Sequence, residues 1–304
     1  PPQPGARPRN WDLALHGHFW RASFMAMGSP CELLCETGST AVAEDVTELV
    51  AREAWRIEDK FSRYIPGNAV DRINSASGSG VEVDEETARL IEFSNLLYDM
   101  SDGRFDITSG VLRRVWTFDG SDRVPSEAEI LDVMRYVGWE KVSWNDRELE
   151  MPAGMQIDLG GVGKEYAVDK AVCLVREQTS IACLVNFGGD LAVTGPPTCQ
   201  ANWQIGREAL QGPSASPSGM IQLKTGALAT SGDTRRYLLK DGIRYSHILD
   251  PTTGWPIVGA PASITVAADT CVQAGMLCTL AMLRGSEAEL MLDQEGAQYW
   301  CTRN

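Results

Sequence analysis

The chain has 304 residues, which is enough for one large domain or two ordinary ones with an ample core. Its hydrophobic content of 43% and charged content of 22% are typical of a soluble globular protein, and no apolar run approaches the roughly 20 residues that cross a bilayer. The net charge of −14 argues against a nucleic-acid-binding protein. An anionic ligand would have to be held by backbone N–H groups or a metal against this field.

The start of the chain is rich in proline, and residues 1–18 are predicted to form an extended arm. They contain neither a hydrophobic signal core nor an N-terminal cysteine for a lipid anchor, and they lack an initiator methionine. We expect a mature or truncated chain, and a removed export signal stays open. Residues 19–304 are expected to form one compact domain, because no linker or internal repeat interrupts them.

The first half of the chain is predicted to be mainly helical. Residues 19–36 form a predicted hairpin with a Met-Gly turn, and apolar residues at helical spacing over 40–64 indicate the longest helix. A turn-rich piece at 65–80 precedes two more predicted helices, at 84–103 and 126–138.

The second half is predicted to be mainly strands. Short strands are expected at 141–144 and 155–159, followed by a helix over 164–178. The next strands are expected within residues 183–195, 202–208, 219–232, 235–250 and 263–269. A helix at 272–285 and a strand near 297–303 complete the chain. Helices and strands mixed without regular β-α-β alternation predict an α+β fold with antiparallel sheet.

The eight cysteines include no C-x-x-C pair, and the chain has three histidines, which argues against a zinc site. Most of the cysteines lie in apolar stretches, where a cysteine is usually a small core residue. We therefore expect mostly free thiols, and the compartment stays open.

Residues 158–171, DLGGVGKEYAVDKA, place two glycines between a predicted strand and a helix. Such a pair is either simply a tight turn, or it lets the backbone hold a phosphate or a metal at a helix N-terminus. Asp158 could bind a ligand or cap the helix, and Lys164 could meet a phosphate or be solvated. The spacing fits neither a Walker loop nor a Rossmann fingerprint, so the corner alone leaves both interpretations open.

Two further stretches have the same ambiguity. In SHILDPTTGWP, residues 246–256, the segment after Asp250 is a strong turn signal, but His247 and the backbone of Leu249 could also line a pocket rim. In DGRFDITSG, residues 102–110, an aromatic such as Phe105 is more often a core residue than a cofactor contact.

In combination and in order, these stretches resemble the ApbE family, the FAD:protein FMN transferases, over roughly residues 20–290. The matching pieces are MAMGSP, KFSRYIPGNAVDRIN, DGRFDITSG, DLGGVGKEYAVD, VNFGGDLAVTG, ATSGDTRRY, YSHILDPTTGWP and VQAGMLCTLAMLRG. The resemblance implies a single α+β domain of the T-fold-like type that binds FAD in a cleft. It also implies Mg²⁺-dependent cleavage of FAD and transfer of FMN to a threonine or serine hydroxyl of a partner protein.

The resemblance further implies roles for individual residues. The residues implied to contact FAD are Met27, Tyr64, Gly103, Arg104, Phe105, Asp158, Lys164 and Leu249. Gly161, through its backbone oxygen, and Thr279 are implied to bind the metal, and His247 is implied to lie beside the flavin. His247 and Thr279 are the catalytic candidates. The acceptor in such a family is typically a membrane redox subunit at the outer face of the cytoplasmic membrane, which implies a periplasmic or outer-face location, although the chain shows no signal and a cytoplasmic location stays open.

The last helix departs from the family pattern, a motif like A-D-A-L-x-T whose aspartate and threonine bind the metal. Here Gly275 stands at the aspartate, and Cys278 stands where some members add a second aspartate. A hydroxyl and a carbonyl oxygen without a carboxylate make a poor magnesium site. Replacing Gly275 by Asp is therefore expected to raise magnesium-dependent FAD cleavage.

Three hypotheses follow from this departure. In the first, the protein is a transferase whose metal is held by FAD phosphates, waters and a carboxylate such as Asp269 or Asp233. In the second, it binds FAD but has lost the transfer. In the third, it is a homologue with an eroded pocket, against which the presence of Asp158, Lys164 and His247 argues.

Overall fold

The computed structural model describes residues 9–119, 121–207, 219–232 and 237–303. At its centre is an eight-stranded sheet in which every neighbouring pair is antiparallel. Numbered along the chain, its strands in spatial order are β1 (Trp11–His16), β2 (Phe19–Ala26), β3 (Ser29–Cys35), β7 (Cys183–Phe187), β8 (Asp190–Val193), β11 (Ala227–Gly232), β14 (Ser263–Ala268) and β15 (Gln298–Thr302).

Smaller sheets flank this one. They contain β4 (Val81–Glu82), β5 (Ser143–Asn145) and β6 (Glu148–Glu150); β9 (Trp203–Gly206) with β10 (Met220–Leu223); and β12 (Tyr237–Lys240) with β13 (Ile243–Ser246). The α-helices are α1 (Thr40–Phe61), α2 (Ala69–Ser75), α3 (Glu85–Met100), α4 (Glu127–Met134), α5 (Gly163–Gln178), α6 (Cys271–Leu283) and α7 (Ala288–Gln294). A 3-10 helix spans Ile107–Arg114, and short ones span Trp139–Lys141 and Gly285–Glu287.

Helices α1, α5 and α6 pack on one face of the large sheet, and α5 lies between the other two. Side chains alternate along each strand, so Val185 of β7 faces these helices while Leu184 faces the opposite side. There the hairpin of β9 and β10 covers the sheet, with Trp203 fully buried. Both faces of the central strands are therefore buried, which explains their nearly continuous apolar sequences.

The α+β class with antiparallel sheets is confirmed, and the helices expected at 40–64, 84–103, 126–138, 164–178 and 272–285 correspond to α1, α3, α4, α5 and α6. All eight cysteines are free thiols, as expected. None of the helices in the described ranges is long and apolar enough to cross a membrane.

Three sequence expectations need correction. Within the predicted arm, Trp11–His16 is extended but pairs with β2 along its whole length, so it belongs to the large sheet. Residues 155–159 are not a strand, because the backbone of Ile157 is hydrogen-bonded to the side chain of Asn74 instead of to a neighbouring strand. The turn-rich piece at 65–80 contains the helix α2, which Asn68 caps through the backbone N–H of Asp71.

Candidate active site

The glycine corner immediately precedes α5. Asp158 accepts the N–H of Gly160 through Oδ1 at 2.9 Å, and neither Gly160 nor Gly161 has a backbone φ in the left-handed region. A Cβ on Gly161 would lie 3.2 Å from Cε2 of Phe105, which is closer than ordinary packing allows. Glycine at 161 thus lets the Phe105 ring pack closely on the backbone, and the turn does not require a left-handed φ there.

Asp158 forms ion pairs with two arginines. Its Oδ2 lies 3.3 Å from Nη1 of Arg63 and 3.1 Å from Nη2 of Arg113. Arg63 is largely buried and also donates to the carbonyl of Gly110 at 2.8 Å, while Arg113 donates to the hydroxyl of Tyr64 at 2.7 Å. The corner therefore presents two guanidinium groups beside a carboxylate, a combination suited to an anionic ligand such as a phosphate.

Lys164, in the first turn of α5, is bound by a buried carboxylate. Its Nζ donates to Oδ2 of Asp190 at 2.6 Å, and the other oxygen of Asp190 accepts the N–H of Thr230 at 3.2 Å. Burial lowers the pKa of Lys164, but the attraction of Asp190 and Glu165 outweighs it, so this pKa is raised on balance. Lys164 is a fixed cation at the N-terminus of α5 and not a solvated side chain.

Glu165 lies directly against Gly275 of α6. A Cβ on Gly275 would lie 2.5 Å from Cγ of Glu165 and 2.8 Å from its Oε1. Oε2 of Glu165 is buried and has no hydrogen-bond partner among the described residues. Burial, followed by repulsion from Asp190, raises the pKa of Glu165 to about 8.

A small cavity of about 10 Å³ lies between α5 and α6, the size of one water molecule. Its lining residues are Phe93, Gly161, Val162, Glu165, Val272, Gly275 and Met276. Thr279 follows Gly275 by four positions, which places both on the same face of α6. Two of the positions that the resemblance connects with the metal, 161 and 275, thus line one cavity together with a buried carboxylate.

A buried carboxylate that lines such a cavity and has an orphaned oxygen fits a hard divalent cation, which prefers oxygen ligands. The described residues contain no group of three His, Cys, Asp or Glu side chains that could hold a metal, so neutral oxygens and substrate phosphates would have to complete the ligand set. Asp269 is exposed at the end of β14 and does not line this cavity, which argues against it as the missing carboxylate. Asp233 lies outside the described residues.

His247 and Leu249 lie in an aromatic cluster on the other side of the 3-10 helix. The His247 ring meets Phe118 edge-to-face at 6.2 Å between centroids, and Phe118 stacks on Trp116 at 5.8 Å. Leu249 packs against the same cluster, and the turn predicted after Asp250 is present, with the N–H of Thr252 bonded to Oδ1 of Asp250 at 2.8 Å. The 3-10 helix connects the two sides, because it carries Arg113 toward Asp158 while its apolar residues join the cluster.

The remaining predicted contacts come from two loops. Gly103 has a φ of 78°, and Arg104 beside it donates to the carbonyl of Leu283 at the end of α6 at 3.3 Å. Met27 lies at the tip of the β2–β3 hairpin with a φ of 51°, followed by Gly28 with a φ of 68°. These values are those of a two-residue type I′ turn, so the hairpin matches the predicted Met-Gly turn.

The sequence model of the ApbE family matches residues 27–300 of the chain. The chain belongs to the ApbE family. Similar relatives include FAD:protein FMN transferases from Vibrio cholerae, 30% identical over 76% of this chain and 71% of the relative, and from Salmonella typhimurium, 29% identical over 90% and 88%. The fold is similar to the crystal structure of the ApbE protein from Thermotoga maritima, with a TM-score of 0.83, 32% identity and coverage of 93% and 94%. It is also similar to the flavinyl transferase ApbE from Pseudomonas stutzeri, with a TM-score of 0.81, 25% identity and coverage of 97% and 92%.

Within this ApbE fold, sequence reasoning missed four residues at the site: Arg63, Arg113, Glu165 and Asp190. Three of them stand inside stretches that carry the resemblance, so the signal for them was a charged residue within a motif. Arg113 follows its motif by a few residues, and only the winding of the 3-10 helix brings it to Asp158. The assignment of individual residues to FAD and to the metal stays a prediction.

Proposed function

We propose that the protein is an FAD:protein FMN transferase that cleaves FAD with the help of Mg²⁺ and transfers FMN to a threonine or serine hydroxyl of an acceptor protein. The observation that carries this proposal is the set of charged groups around the start of α5. Arg113 is paired with Asp158 just before α5, and Lys164 and Glu165 lie in the first turn of α5, where Oε2 of Glu165 is buried without a hydrogen-bond partner among the described residues. Relatives of the protein bear the name FAD:protein FMN transferase.

The chemistry explains why such groups are needed. The acceptor oxygen forms a bond to the phosphorus of the FMN moiety while the bond from that phosphorus to the AMP moiety breaks. Negative charge grows on the phosphate oxygens, and in this proposal the guanidinium groups of Arg63 and Arg113 beside Asp158 and the ammonium of Lys164 beside Asp190 offset it. A bound divalent metal would supply further charge neutralisation and orientation of the phosphates.

The hydroxyl proton of the acceptor has to leave during this reaction. His247 is our candidate to receive it, because it is half-buried beside Phe118 in the segment that the resemblance places beside the flavin. Phe118 covers one side of the His247 ring, and Trp116 stacks on Phe118.

The acceptor and the location of the reaction are part of the same proposal. By resemblance, the acceptor is a membrane-associated redox subunit met in the periplasm or at the outer face of the cytoplasmic membrane. The acidic balance of the chain, with a net charge of −14, favours an acceptor segment that is not itself strongly acidic.

The test is incubation of the purified protein with FAD, Mg²⁺ and a threonine-containing acceptor peptide, followed by assay of AMP and of the peptide mass. We expect magnesium-dependent AMP release and a mass increase of one FMN moiety. His247→Ala is expected to bind FAD within about threefold of the parent but to lose at least about 100-fold in transfer rate. Asp241→Ala, at the exposed turn of the β12–β13 hairpin, is the control and should match the parent in both assays.

The second candidate is an FAD-binding protein of the same fold that has lost the transfer. The glycine at 275 favours it, because the expected carboxylate is missing there. FAD that binds tightly and is recovered intact in the presence of Mg²⁺ would contradict the transferase and support this candidate.

A further inference from the structure

We propose that Glu165 of α5 is the carboxylate ligand of the divalent metal, in place of an aspartate at position 275 of α6. This inference rests on the proposed function only for the metal requirement. It assigns to the site a residue from a different helix than the one expected from sequence.

The first argument is steric. The carboxylate of Glu165 and its Cγ occupy the volume that any side chain at position 275 would need, since a Cβ there would lie 2.5 Å from Cγ. Contacts this short are essentially never found between a Cβ and a neighbouring carbon, so a side chain at 275 would require Glu165 to move. Gly275 is therefore not simply a lost ligand, because its missing side chain is the space in which a different carboxylate lies.

The second argument is hydrogen bonding. Acidic groups lie near each other at this junction, but two of them are already satisfied. Asp190 is bonded to Lys164 and to the N–H of Thr230, and Asp169 accepts the N–H groups of Cys271 and Val272 at the start of α6. Glu165 alone retains a buried oxygen without a partner among the described residues.

Such a group is costly unless it is paired. Lys164, which precedes Glu165 in α5, is committed to Asp190 at 2.6 Å. A divalent cation in the cavity that Glu165 lines would give this carboxylate the partner that its buried oxygen lacks. A bound metal would then explain why a carboxylate is buried at this position.

The third argument is the set of neighbouring oxygens. The same cavity is lined by Gly161, whose carbonyl is a predicted ligand, and α6 carries Thr279 on the face of Gly275. One carboxylate, neutral oxygens and substrate phosphates form the type of ligand set that Mg²⁺ commonly uses in phosphoryl transfer. Glu165 supplies the one component that the sequence motif lacked.

The sequence expectation for Gly275→Asp changes accordingly. With Glu165 present, the new side chain would overfill the space between α5 and α6 and displace the carboxylate already there. The single variant is expected to melt at a lower temperature than the parent and to gain no metal affinity.

The experiment measures Mn²⁺ binding to the full chain by the EPR signal of free Mn²⁺, alone and with ADP, whose pyrophosphate cannot transfer FMN. We expect Glu165→Gln to weaken Mn²⁺ binding by about tenfold or more while its melting temperature stays at or above that of the parent. Glu177→Gln is the matched control, because it removes the same charge from an exposed position of α5 and should leave Mn²⁺ binding unchanged.

A second pair of variants tests whether positions 165 and 275 share one site. Glu165→Ala alone should lose Mn²⁺ binding, and combining it with Gly275→Asp should restore the affinity to within about tenfold of the parent. A double variant that binds no tighter than Glu165→Ala would overturn the proposal. So would Glu165→Gln with parental affinity, or a parent that binds no Mn²⁺ with or without ADP.

The two proposals can fail separately. If Mn²⁺ binds through Glu165 but neither AMP nor a flavinylated peptide is formed, the metal assignment stands and the transferase function is wrong. If transfer proceeds and Glu165→Gln retains full Mn²⁺ affinity, the transferase stands and the metal assignment is wrong.

Discussion

At the scale of single residues, Met27 has a backbone conformation that a methionine normally avoids. Its φ of 51° lies in the left-handed region, where a side chain costs roughly 1 kcal/mol relative to glycine. Glycine would be the natural residue at this position of a type I′ turn. The cost points to a use for the side chain, and the resemblance assigns Met27 to the FAD pocket.

Met27→Gly separates the two roles. We expect the free energy of unfolding to stay within about 1 kcal/mol of the parent, because relief of backbone strain offsets the lost packing, while FAD binding weakens about tenfold. Denaturant unfolding and FAD titration measure the two quantities. Asp146→Gly is the control, since Asp146 has a φ of 55° in the turn between β5 and β6, away from the predicted pocket. Parental FAD affinity in Met27→Gly would remove Met27 from the pocket.

Sequence reasoning succeeded with residues inside motifs and failed where two distant segments share one volume. Asp158, Lys164 and Phe105 could be named because each stands in a recognisable stretch, and the structure brings all three to the glycine corner. The amino-acid sequence does not show that the Glu165 side chain fills the space beside Gly275, because the two residues come into contact only when α5 and α6 pack. The departure at 275 was visible from sequence, but what compensates for it was not.

At the scale of elements, the position of α6 against α5 is fixed by a cap from outside the helix. Thr270 accepts the N–H of Gln273 at 3.2 Å, and Asp169 of α5 accepts those of Cys271 and Val272 at 2.8 and 2.9 Å. Helix α6 is apolar around most of its circumference, so its own pattern does not define its rotation. The Asp169 cap orients the helix so that Gly275 faces Glu165.

Asp169→Ala should therefore destabilise the protein by about 1–2 kcal/mol, because two backbone donors at the start of α6 lose their acceptor. Asp169→Asn retains one acceptor oxygen and should recover about half of the loss. Urea denaturation followed by tryptophan fluorescence measures both. An alanine variant as stable as the parent would show that Thr270 alone caps the helix.

Elements with long periodic patterns were predictable, and elements defined by a tertiary partner were not. The 22 residues of α1 follow helical spacing throughout, so its prediction needed no neighbours. Residues 155–159 alternate like a strand, but Asn74 takes the hydrogen bonds that a neighbouring strand would have made. The β1 strand was taken for an arm because it follows a proline-rich start, and as an edge strand it leaves Ala14, Leu15 and His16 exposed.

At the scale of the whole molecule, one carboxylate joins three helices. Glu86 at the start of α3 is bonded to Arg56 of α1 at 2.7 Å, to Lys60 of α1 at 2.6 Å and to the hydroxyl of Tyr166 of α5 at 2.7 Å. Burial raises the pKa of Glu86, but the hydrogen bonds from Arg56, Lys60 and Tyr166 outweigh it and lower this pKa to about 2.

This pKa predicts how stability depends on pH. A carboxylate whose pKa is lower in the folded state than in the unfolded state stabilises the protein above the unfolded value, and the contribution is lost as pH falls toward about 2. After allowance for solvent screening, we expect Glu86→Gln to lose about 1–2 kcal/mol at pH 7 and to show a flatter decline between about pH 5 and 2. Urea unfolding at several pH values measures this. Glu85→Gln, whose carboxylate is mostly exposed, is the control, and equal slopes in both variants would contradict the prediction.

The overlap at position 275 also has an evolutionary consequence. An aspartate at 275 and a glutamate at 165 compete for one volume, since a Cβ at 275 would meet the Glu165 side chain, which would have to move. A lineage that changes from one arrangement to the other must pass through an intermediate with both carboxylates, which costs about 1–3 kcal/mol of stability, or with neither, which keeps the fold but weakens the metal site. Aligned relatives should therefore show positions 165 and 275 changing together. Chains with both glutamate at 165 and aspartate at 275 should be rare.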